Sequence, residues 1–106
     1  GSEICFRIIN DKNFQMNQDD IDMLLQSANL NLRGFVDNIS KEYPRLKKED
    51  LCYICLMLID LNDKQISSLF GVTYSAIRTR RNKICDILEV KNEQLYKHLI
   101  DKLYLP

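Results

Sequence analysis

Asn62 to Leu88, NDKQISSLFGVTYSAIRTRRNKICDIL, is the stretch from which the rest of the chain can be read. Asn62 and Gln65 have the spacing of a capping box, in which each side chain satisfies a backbone donor left free in the first helical turn. They predict a short helix with Ile66, Leu69 and Phe70 on its apolar side. Gly71 should end that helix, because glycine takes the left-handed conformation without a Cβ penalty. Val72 is expected to plug the corner and Thr73 to cap a second helix. There Ile77, Ile84 and Leu88 recur at helical spacing and define a buried edge. At about 100° per residue, Ser75, Arg78, Thr79 and Asn82 project from roughly the opposite side, with Arg81 and Lys83 on the flanks. The outline is a helix-turn-helix.

Between Ile77 and Asp86 stand four basic residues and no acidic one. Hydrogen-bonding side chains flanked by positive charge, on a helix that follows another after a short turn, suit the DNA major groove. A helical hairpin with a merely solvated polar face has the same outline, so the spacing supports a hypothesis and the remaining chain must weigh on it.

A length of 106 residues with 45% hydrophobic content is enough for one compact domain with a modest core. Lysines plus arginines equal aspartates plus glutamates at 15 each, so net charge gives no general attraction to nucleic acid or acidic lipid. Bases exceed acids by eight to six from Leu51 onward, so the small positive excess lies in the half that holds the motif. Gly1-Ser2 reads as an expression-tag remnant on a fragment of a longer protein. With no signal peptide and no membrane-length apolar run, the expectation is a soluble, cytoplasmic domain without membrane contact.

Cys52 and Cys55 form a CxxC, but inside LCYICLMLIDL, which reads as a buried helix rather than a zinc knuckle. Cys5 and Cys85 lie far from it in sequence, and His98 is the single histidine. Reduced, mostly buried thiols follow, with no metal and no cofactor. The histidine has no nucleophile at interpretable spacing and no glycine-rich phosphate loop exists, so no catalytic residue is assigned and an enzyme is not expected.

The other segments read as helices. Ser2 to about Asp11 places Ile4, Cys5, Ile8 and Ile9 at helical spacing, and DKNFQMN then carries loop residues. Asn17 with Asp20 starts a helix with an apolar face of Ile21, Leu24, Leu25 and Ala28. Leu32, Phe35, Val36 and Ile39 predict another, with Gly34 inside it at a cost of about 1 kcal/mol, ending before Pro44. From Glu49 to about Leu61 a helix carries Leu51, Cys52, Ile54, Cys55, Leu58 and Ile59 around most of its circumference and should be central. A last helix from about Asn92 sets Leu95, Leu99 and Leu103 beside Tyr96, Ile100 and Tyr104, a face that either closes the core or forms a homodimer contact. The fold class is all-α: supporting helices over residues 1–44 and the helix-turn-helix with its C-terminal helix over residues 45–106, packed as one unit.

From about Ile21 to Leu88 the chain resembles the helix-turn-helix domains at the C-terminus of Bacteroides-type regulatory proteins, related to the LuxR/GerE class. The landmarks are KEYP at Lys41 to Pro44, KKEDLCYICLML entering the central helix, DKQISSLFGV in the scaffold and YSAIRTRRNKI in the recognition helix, with Ser75, Ala76 and Ile77 at its Ser-Ala-Ile step. The resemblance implies a LuxR-like effector domain of a transcription regulator, attached to an upstream sensor or repeat region. It places the DNA-facing positions on Arg78, Thr79 and Asn82. The chain departs from the class at Gln65, often acidic there, and at Cys85 and Asp86, where basic residues are common.

The resulting expectation is sequence-specific binding of double-stranded DNA by Ser75, Arg78, Thr79, Arg81, Asn82 and Lys83. Arg78 would read a base edge, guanine first, where a bidentate contact contributes about 1–3 kcal/mol of discrimination. Asn82 would pair with adenine, and Thr79 would offer its methyl to thymine or its hydroxyl to phosphate. Arg80, Arg81 and Lys83 would position the backbone, while amides near Asp63 and Lys64 cap a phosphate. The alternative is a helical protein-interaction or dimerisation module that keeps this shape without specific DNA binding.

Overall fold

The computed structural model describes residues 2–104, and among them there are only helices, no strands. These are α1 (Ser2–Asn10), α2 (Gln18–Asn31), α3 (Phe35–Glu42), α4 (Lys48–Leu58), α5 (Asp63–Phe70), α6 (Tyr74–Leu88) and α7 (Leu95–Tyr104), with a 3-10 turn at Asn92–Gln94 leading into the last. Among the described residues no helix is long and apolar enough to cross a membrane.

α4 is the axle. From Asp50 to Met57 every residue is buried, and the helix packs on α2, α5 and α7. An apolar circumference has no solvent side to offer, so the other helices must surround it. One contiguous core joins Ile4 of α1 and Ile21 of α2 to Ile54 of α4, Ile66 of α5, Ile84 of α6 and Leu99 of α7. This core crosses residue 44 freely.

Asn17 caps α2 reciprocally with Asp20, at 2.8 and 2.9 Å. Its end corrects one sequence expectation. Gly34 does not lie within a helix: Arg33 at φ 56° and Gly34 at φ 83° turn the chain through the left-handed region, and α3 begins after them. The expected mid-helix cost is therefore absent, since glycine is used where positive φ is required. Asn29 receives its explanation here, because its side chain accepts the Asp37 N–H and donates to the Asp37 carboxylate, each at 3.0 Å, fastening the start of α3 to the end of α2.

Three other helices differ in detail from the sequence expectation, and one loop reaches further into the core. α4 stops at Leu58, and Asp60 at φ 70° turns the chain so that Ile59 faces solvent. On α1, Ile4 and Ile8 are buried but Ile9 is exposed. The segment DKNFQMN, expected to be loop, is loop, yet it sinks Phe14 and Met16 into the core. On α7, Leu95 and Leu99 are fully buried and close the core, whereas Tyr96 and Tyr104 lie outside it. The apolar face of α7 is thus narrower than its sequence suggests.

The stretch at 62–88 forms as its capping residues require. Asn62 and Gln65 satisfy each other's backbone donors at 2.8 and 2.9 Å, Gly71 ends α5 at φ 65°, and Thr73 accepts the Ala76 N–H at 3.1 Å. Val72 does not plug the corner, being 45% exposed. The turn is held instead by the loop before α2: the Met16 N–H donates to the Leu69 carbonyl at 2.8 Å, and the Gln15 amide lies against Gly71.

Candidate nucleic-acid interface

α6 buries Ile77, Ile84, Cys85, Ile87 and Leu88 and turns Ser75, Thr79, Asn82 and Asp86 outward. These four follow one another at helical spacing, so they form a single stripe of short polar side chains that ends in an acid. Arg78 and Lys83 lie at its edges, half-exposed.

The cations of α6 are held by protein acceptors, an arrangement that spacing does not reveal. Asp50, with 0% exposure, accepts Arg80 Nη1 at 2.6 Å, Lys83 Nζ at 3.0 Å and the Lys47 N–H at 2.8 Å. The first turn of α4 is thereby clamped to the middle of α6. A carboxylate excluded from water requires such company, because an unpaired buried charge is strongly unfavourable. Arg80 also lies over the Phe70 ring, 5.9 Å from its centroid.

A second network runs beside the first. Arg78 Nη1 donates to Asp63 Oδ2 at 2.7 Å, and the Tyr53 hydroxyl donates to Asp63 Oδ1 at 2.5 Å. The same hydroxyl accepts Arg81 Nη1 at 3.1 Å. Arg81 further grips Asn92, through its side-chain oxygen at 2.8 Å and its carbonyl at 2.9 Å, and the Asn92 amide donates to Asn82 at 2.9 Å. Burial pushes the Tyr53 phenol up to about 12, with the Asp63 bond acting in the same direction, so it remains a proton donor at neutral pH. Arg78, Arg81 and Asn82 are thus joined end to end through α4, α5 and the turn before α7.

The six residues selected from sequence fall into three groups. Ser75 and Thr79 stand on the open stripe; Arg78, Arg81 and Asn82 belong to the Tyr53 network; Lys83 shares Asp50 with Arg80. The expectation that amides near Asp63 and Lys64 cap a phosphate meets an obstacle. The Asp63 carboxylate occupies that end of α5, and the Gln65 N–H already donates to Asn62. A shallow depression lined by Asn62, Asp63, Lys64, Tyr74 and Arg78 opens there instead.

Sequence reasoning missed Asp50, Tyr53, Asp63 and Asn92. Asp50 had a readable signal, an acid three residues after Lys47 on the edge of an otherwise apolar run. Asp63 and Arg78 are 15 residues apart, and no local spacing links them. The CxxC lies within α4 with both thiols buried, and that burial raises the pKa of each, Cys55 to about 12. Among the described residues no group of three or more His, Cys, Asp or Glu side chains is gathered where it could hold a metal ion.

Comparisons with protein-family models, with curated proteins and with solved structures gave no significant match to this chain.

Proposed function

We propose that this domain is the sequence-specific DNA-binding part of a transcription regulator, a helix-turn-helix in which α5 is the scaffold and α6 enters the major groove of double-stranded DNA. The observation that supports this reading is the exposed stripe of Ser75, Thr79 and Asn82 with Arg78 and Lys83 at its edges. Short uncharged side chains let a helix approach base edges closely, with Lys83 at one margin to meet the phosphate backbone and Arg78 at the other to reach a base edge. Arg78 and Asn82 are the base readers. Arg81 is tied to Tyr53 and Asn92, so it acts by holding Asn82 in place.

Selection from a randomised duplex library at low and moderate salt, with Arg78→Ala in parallel, tests the proposal. The expected result is an enriched motif that loses information at one position in the variant, together with affinity that drops steeply with salt as counterions are released. Binding without enrichment would remove the specific reading.

A protein-interaction module is the second reading. It is favoured by one observation: every cation on α6 already has a protein acceptor, while Asp86 stands exposed on the stripe. Failure to bind heparin or DNA at low salt, combined with a stable dimer, would select it.

A further inference from the structure

Resting on the DNA-binding reading, we infer that Asp63 is a specificity-determining residue that holds Arg78 ready for a base edge and guards it against phosphate. The contact is one-sided. Nη1 alone touches Asp63, at 2.7 Å, and neither Nε nor Nη2 donates to another described residue. A guanidinium held through Nη1 keeps its Nε–Nη2 edge free, and that edge presents two parallel donors of the kind guanine accepts at O6 and N7.

Asp63 can act as a buttress because it is itself fixed. It is 11% exposed, and its other oxygen receives the hydroxyl of Tyr53, a side chain fully buried in α4. The Tyr53 hydroxyl is in turn braced by Arg81. The rigid core of the domain therefore reaches through two side chains to the tip of a half-exposed arginine, so less freedom remains to be lost on binding. The carboxylate also places a negative charge beside the guanidinium, where a phosphate would otherwise dock. Both effects act in one direction, raising the ratio of specific to non-specific binding.

The test is a double-mutant cycle on the whole chain with Asp63→Asn, Arg78→Ala and the double variant. Affinity is measured for the duplex enriched by the wild type and for a scrambled duplex of the same length, with a thermal melt of each protein. The asparagine can still accept from Tyr53 but has no charge. Asp63→Asn should lower the specific-to-scrambled ratio about tenfold, leaving scrambled binding undiminished, and should change that ratio less than about twofold when Arg78 is already alanine. An unchanged ratio in wild-type background, an equal fall in the Arg78→Ala background, or equal loss on both duplexes would overturn the inference. Enrichment of a motif by the wild type together with an unaltered ratio in Asp63→Asn would overturn the inference alone. Absence of any enriched motif would overturn the DNA-binding reading and the inference with it.

Discussion

Removing the Asp50 carboxylate should be among the most damaging single changes available in this domain. Asp50 is fully buried and joins three donors: the Lys47 N–H at the start of α4, Arg80 and Lys83. Breaking a fully buried ion pair from one side costs about 3–5 kcal/mol, because the remaining charge is left without a partner. Here the cations keep 28% and 41% exposure and can turn toward water, which brings the electrostatic part down to about 2 kcal/mol. Loss of the acceptor for the Lys47 N–H adds about 1 kcal/mol. Asp50→Ala should therefore cost about 3 kcal/mol, and a domain of this size should melt about 12 °C lower or more. Asp50→Asn keeps an acceptor at the helix start and should lie between the alanine variant and wild type. Urea and thermal unfolding followed by circular dichroism measure both. Asp22→Asn serves as the control, since the Asp22–Lys48 pair has similar geometry at 2.7 Å but is half-exposed on both sides, and it should leave the melt unchanged. Alanine at 50 behaving like asparagine at 22 would refute the claim that this carboxylate clamps α4 to α6.

His98 is the single histidine, so its imidazole resonances report one group. Burial holds its pKa below the ordinary 6.5, and Lys102 lowers it further; the NMR titration should show a depressed midpoint that rises in Lys102→Met. With a depressed native pKa, the unfolded chain takes up the proton first. The His98 contribution is thus complete above about pH 6.5 and is lost as pH falls from there through the native midpoint, which urea midpoints at pH 7.5 and 5.5 would register. Among the thiols, half-buried Cys5 should be alkylated in the folded protein at neutral pH, while Cys52, Cys55 and Cys85 should react only on unfolding, as mass spectrometry after timed iodoacetamide treatment would reveal. Gly71→Ala should destabilise by about 1–2 kcal/mol, set by its φ of 65° since the nearest obstacle is the flexible end of Gln15; an unchanged urea midpoint would contradict the left-handed turn.

What could be read from the chain alone depended on how local the determining forces were. Helix starts at Asn17, Asn62 and Thr73 were legible because a cap is an agreement between residues three apart. The central place of α4 was legible because an apolar circumference admits little else. Gly34 was misplaced because the helical spacing of Leu32, Phe35 and Val36 runs on through a turn that only two consecutive positive φ angles disclose. Val72 was misplaced because the corner is covered from outside the motif, by Gln15 and Met16. The candidate site divides in the same way. Periodicity finds which residues of α6 face outward, but a charged side chain chooses its partner in space, and the attachments of Arg78, Arg80, Arg81 and Lys83 to Asp63, Asp50 and Asn92 are settled by how α4, α5 and α6 come together.

The loop ahead of α2 bears on where this domain can be cut. The first capped helix after α1 has its apolar face from Ile21, and a trimmed fragment would naturally begin there. Such a fragment would discard Phe14 and Met16 from the core and would leave the Leu69 carbonyl without its donor at the very turn that sets α6 on α5. The smallest excision that preserves the α5–α6 corner therefore begins ahead of Phe14, and α1, whose Arg7 stacks 4.6 Å from the centroid of that phenylalanine ring, belongs with the helix pair it precedes.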